Sequence, residues 1–190
     1  MQQLTDPNRV LLTGENSYVV LRLEENGPPV TRASHWRILL SPVGPGHALF
    51  LEGELTEGRP RVYADNERLA RWLQQIQSKQ SYSDQSVPVT PATFEKSGDA
   101  RSSWVETVNA RNERVELRWS GLGEPFVFRS GPNTRPGVVY GIYSLLIPAQ
   151  KAEVRLNDRS SSGRAFSKQI GERPGSSACL AFSETWLEAP

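Results

Sequence analysis

The chain has 190 residues, 22 of them basic and 21 acidic, a formal net charge of +1 that lacks the basic surplus expected of a nucleic-acid-binding surface. With 37% hydrophobic and 23% charged residues, it falls in the globular class, and its length suits one domain spanning 1–190. The absence of any run of about 18 apolar residues excludes a membrane-crossing helix, and no basic start with an apolar core marks a leader peptide.

Cys179 is the single cysteine, so no intramolecular disulfide forms, and a soluble, reducing, cytoplasmic setting is expected. The thiol lies in a strand-like run with no histidine nearby, which suits a small buried hydrophobe better than a nucleophile.

Short strands punctuated by turn residues dominate the first part of the chain. Tyr18–Leu23 ends at Asn26-Gly-Pro-Pro29, His35–Leu40 ends at Pro42 through Gly46, and His47–Leu55 turns at Glu57-Gly58 into Arg61–Tyr63. Gly/Pro boundaries at this spacing suit antiparallel meander connections. Leu69, Trp72, Leu73 and Ile76 then fall at i, i+3, i+4 and i+7, one apolar stripe on a helix over 66–78. Asp65 is placed to cap it, Glu67 favours its positive end, and Trp72 is the expected packing anchor. A polar linker follows at 78–86.

Strands resume with Thr90–Lys96, Ser102–Val108 and Arg114–Trp119, the last alternating perfectly. Pro125–Arg129, Gly137–Ile147, Ala152–Leu156, Gly163–Ser167 and Ser177–Leu187 complete about eleven strands around one helix. There is no internal repeat and no β–α–β rhythm. The pattern predicts an all-β fold: an antiparallel, lipocalin-like barrel of about 8–11 strands, with a two-sheet sandwich as the alternative.

Motif searches exclude more than they offer. The chain contains no phosphate-cradling glycine loop, no Gly-x-Ser-x-Gly elbow and no paired-cysteine motif. His35 and His47 lie on adjacent strands and, with Glu52 or Glu54, approximate a two-His, one-carboxylate set. The Pro/Gly loop between them and the lack of an H-x-H pattern argue against it, so neither a metal nor another cofactor is expected.

Two glutamates stand where strand phase calls for an apolar side chain. Trp104, Glu106 and Val108 share one face, as do Leu180, Phe182, Glu184 and Trp186. A carboxylate on a buried face must be paired, hydrogen-bonded or protonated. Glu106 and Glu184, assisted by Tyr143, are therefore the candidate acid and base. Trp104, Trp119, Trp186, Arg37 and Arg129 are the candidate ligand contacts.

Two functions fit. One is a barrel binding a small apolar or cyclic molecule in an aromatic-lined cavity. The other is an acid/base enzyme on the same scaffold, an isomerase, hydratase, cyclase or lyase working through interior glutamates. Both expect a small-molecule partner and neither expects nucleic acid or a membrane. They differ in whether two titratable groups converge on one cavity.

Overall fold

Period-two alternation recurs along the chain, and most of the described residues resolve into strands. The computed structural model describes residues 9–77, 83–134 and 139–189. The strands are β1 (Val10–Arg22), β2 (Pro29–Leu40), β3 (Gly46–Gly53), β4 (Arg61–Ala64), β5 (Val89–Asp99), β6 (Ser103–Ala110) and β7 (Arg114–Leu122). They continue with β8 (Phe126–Ser130), β9 (Gly141–Leu156), β10 (Arg159–Ser160), β11 (Ser167–Ile170), β12 (Arg173–Ser176) and β13 (Ala178–Leu187). The helix α1 (Glu67–Ile76) separates β4 from β5.

Strands β1 to β7 pair in sequence, β7 pairs with β9, β9 with β13 and β13 with β1, so nine strands close into a barrel. The two-sheet alternative is therefore set aside. The expectation of a wholly antiparallel wall needs correction: β4 and β5 are parallel. Parallel neighbours need a crossover connection, and α1 supplies it, a β–α–β step that no rhythm in the sequence announced.

Three further expectations change. The strands expected at Gly137–Ile147 and Ala152–Leu156 are one strand, β9, whose first half pairs with β8 and β13 and whose second half pairs with β7. Pro148 sits at this handover, where its missing N–H is tolerated. The strand expected at 163–167 shows only an isolated bridge between Arg164 and Arg22 until Ser167, where β11 begins and pairs with β12 in a hairpin. The helix is capped by Asn66, whose side chain accepts from the Leu69 amide at 3.2 Å, while Asp65 is committed elsewhere. The expected linker at 78–82 and the start of the strand expected from 137 lie outside the described residues.

The wall is packed on both faces. Inside, Val19, Leu21, Ala33, Leu49, Leu51, Leu117 and Trp119 form the main core. Outside, Trp36, Ile38, Ala48, Phe50 and Val62 form a second core beneath Leu69 and Leu73 of α1. Strands β2 to β4 are therefore apolar in both phases. Trp72 packs at the edge of this second core, only half-buried. A small third cluster, Phe126, Leu146 and Ala181 with Phe128 and Ile170, lies outside the wall near β8.

Candidate functional site

The interior changes character where β2 ends and β3 begins. Along β2, Thr31, Ala33, His35 and Arg37 share the inward phase, so the lumen passes from apolar to basic over one strand. Gly14 brings β1 close to this end: a Cβ there would lie 2.1 Å from the Arg37 carbonyl oxygen. The close crossing and the irregular register after it place Glu15 beside Arg37.

Arg37 is the hub. Its Nη1 lies 3.1 Å from Glu15 Oε2, its Nη2 lies 3.5 Å from Glu106 Oε1, and its Nε donates to His47 Nε2 at 3.1 Å. Because that nitrogen accepts, the His47 proton resides on Nδ1 and is donated to Asp65 Oδ2 at 2.6 Å. Asp65 Oδ1 also accepts from the His47 backbone amide at 2.6 Å. The carboxylate at the start of the helical segment thus fixes an imidazole rather than capping α1. Phe94 stacks on His47 with ring centroids 5.0 Å apart and lies 5.7 Å from His35.

Glu106 and His35 form the buried centre, 2% and 1% exposed. They come from β6 and β2, which are not neighbours in the wall, so they meet across the lumen. Glu106 Oε1 accepts from the Trp104 indole N–H at 2.7 Å. Glu106 Oε2 and His35 Nε2 are both buried without a hydrogen-bond partner and face one another at 3.9 Å. That separation is too long for a direct hydrogen bond, and an oxygen about 2.8 Å from each would bridge it.

The electrostatics keep this pair from being a fixed ion pair. Burial, then the electrostatic influence of His47 and Arg37, lowers the His35 pKa to about 3, so its imidazole is neutral at physiological pH. Burial raises Glu106 to about 7, against the lowering effects of the Trp104 hydrogen bond and the Arg37 charge. Close proximity of nitrogen and oxygen is therefore not a salt bridge here. It is a neutral imidazole facing a carboxyl that exchanges its proton near neutrality.

Glu184 is buried as well, 5% exposed, but its surroundings differ. Ser183 has φ 56°, and the β13 register slips between Phe182 and Thr185. The bulge reverses the phase. Phe182 packs on Trp104 in the main core, ring centroids 5.6 Å apart, while Trp186 joins the second core against Trp36. The expectation that Phe182, Glu184 and Trp186 share one face is therefore corrected. Glu184 accepts from the Trp186 indole at 2.7 Å. Burial raises its pKa, with Trp186, Ser144 and Asn16 opposing. Among the described residues, no hydrogen bond or ion pair links this network to Glu106.

The remaining candidates scatter. Trp119 is fully buried in the main core and donates to the Tyr18 carbonyl at 3.1 Å. Tyr143 is half-buried with the Arg129 guanidinium 5.5 Å above its ring, outside the Glu106 network. Trp186 stacks on Tyr140 at 5.5 Å. Arg37 and Trp104 are the two ligand candidates that the fold brings to Glu106. Glu52 pairs with Arg32 and Glu54 with Ser161 and Ser162, so neither completes a metal set with the histidines. His35 and His47, weighed from the sequence only as metal ligands, Asp65, read only as a helix cap, and Glu15, not singled out, also join the site. The inward phase shared by His35 and Arg37 was the available signal.

No helix among the described residues is long and apolar enough to cross a membrane. Comparison with protein-family models, curated proteins and solved structures finds no match.

Proposed function

We infer that the barrel binds a small cyclic or aromatic molecule at its polar end and exchanges a proton with it through Glu106 and His35. One observation carries this reading: two buried titratable groups face each other with an unpartnered oxygen and an unpartnered nitrogen 3.9 Å apart. Buried polar atoms without partners cost stability, and a ligand hydroxyl, enol or carbonyl group placed between them satisfies both.

The chemistry suited to this pair is a proton shift, as in isomerisation or elimination. Glu106, poised near neutrality, gives or takes the proton. His35, neutral, accepts a hydrogen bond or donates one according to tautomer. Arg37 holds Glu106 and supplies positive charge toward developing negative charge on the ligand. Phe94 and Trp104 give flat apolar surfaces for a ring. The Arg37 guanidinium against His47 disfavours a metal ion at this place, because two cations would be crowded together in the low-dielectric interior.

The reading is tested by solvent exchange. Cyclic ketones and related carbon acids are incubated with the protein in D2O, and deuterium incorporation is followed by NMR. Exchange by the wild type, reduced about 10²-fold or more in Glu106→Gln with binding retained, supports the reading. Saturable binding with no exchange leaves a binding protein and removes the catalytic half.

A further inference from the structure

A cavity lies on the outer face of the wall. It has a volume of about 590 Å³ and runs between β8 and the β11–β12 hairpin, over the outward face of β1. Its floor continues the small outer cluster through Phe128 and Ile170. Among the described residues, two cations line it, Arg129 and Lys168, and no carboxylate does. Ser130 and Thr134 add hydroxyl groups, hydrogen-bonded to one another at 2.8 Å.

Both cations lack an acidic partner among the described residues. Arg129 rests on the Tyr143 ring and Lys168 Nζ lies 5.0 Å from the Tyr18 ring centre. Partial burial lowers the Lys168 pKa, which no nearby carboxylate offsets. Several surface arginines elsewhere on the described chain do pair with glutamates: Arg32 with Glu52, Arg71 with Glu67, Arg118 with Glu116. In the groove, two exposed positive groups rest over aromatic rings with no carboxylate paired to them among the described residues. An anion binding there recovers Coulomb energy without displacing an internal partner.

We propose that this groove is a binding site for an amphiphilic organic anion, its oxyanion head held by Arg129 and Lys168 and its apolar body lying on Phe128 and Ile170. The site does not rest on the proton-exchange reading. Tyr18 lines the groove while its neighbour Val19 packs in the interior core, so the wall separates the two.

Isothermal titration with 2-naphthoate, 1-naphthyl phosphate and the neutral 2-naphthalenemethanol tests the proposal on the whole chain. The expected result is one saturable site for at least one anion, at least about tenfold weaker for the alcohol. Affinity for that anion should fall about tenfold or more in Arg129→Gln/Lys168→Gln and stay unchanged in Glu106→Gln. Whichever anion binds more tightly distinguishes a carboxylate site from a phosphate site. Both substituted side chains are at the surface, and an unchanged thermal midpoint confirms folding. Absence of saturable anion binding at about 1 mM overturns the proposal. So does anion affinity indifferent to the double substitution, or affinity altered by Glu106→Gln, which would place the ligand inside the barrel.

Discussion

At the scale of single residues, Glu106 and His35 bend the stability profile in opposite directions. Folding raises Glu106 from 4.5 to about 7, so between those values the folded protein holds more protons than the unfolded chain. Stability is then lost as pH rises through the window. Folding lowers His35 from 6.5 to about 3, so its contribution is lost as pH falls from 6.5 toward 3. The two oppose each other from 4.5 to 6.5, and only Glu106 acts above that range. Glu106→Gln, which mimics the protonated acid and keeps the acceptor for Trp104, should therefore match the wild type near pH 4.5. By pH 8 it should exceed it by up to about 3 kcal/mol, measured by urea unfolding at each pH. Glu184 also carries a raised pKa, which is why the difference between the two proteins is read rather than either profile alone. Trp104→Phe removes the indole donor that favours the charged form and should push the Glu106 pKa further up, as read from its carboxyl 13C shift.

At the scale of elements, α1 does two things. It carries the chain from β4 to its parallel neighbour β5, and it seals the outer core with Leu69 and Leu73. Leu69 is fully buried, so Leu69→Ala should cost about 2–5 kcal/mol in denaturant unfolding. Trp72, half-buried at the cluster edge, should cost less than full burial of its ring implies. The helix itself was legible in the sequence because its stripe repeats on one face, and β7 was legible because Val115, Leu117 and Trp119 alternate without a break. The burial of Glu106 followed from the same regularity in β6. Glu184 was misplaced relative to Phe182 because Ser183 adopts a left-handed conformation that a serine does not advertise. The parallel step was hidden because it depends on which strand α1 returns the chain to, a property of no local segment.

At the scale of the whole molecule, the barrel is closed by its two chain-terminal long strands. β1 pairs with β13, residues 10–19 against 178–187, so closure joins the most distant parts of the sequence. Such non-local pairing makes the fold cooperative and slow to form. Removing residues 178–190 opens the wall, exposes Leu180 and its neighbours, and should abolish the cooperative thermal transition seen by circular dichroism. Closure is also what creates the site. His35 and Glu106 lie on strands that do not touch in the sheet, and only a wall curved back on itself sets them face to face across the lumen. That dependence explains why Glu106 could be singled out from its own strand while its partner could not. The central claim is that these two groups form a proton-exchanging pair, and their titration tests it most directly. With selectively labelled protein, 13C and 15N NMR between pH 3 and 9 should show the Glu106 carboxyl titrating near 7 while the His35 ring stays neutral down to about pH 4. Titration of Glu106 near 4.5 together with His35 near 6.5, the ordinary values of solvated side chains, would contradict it.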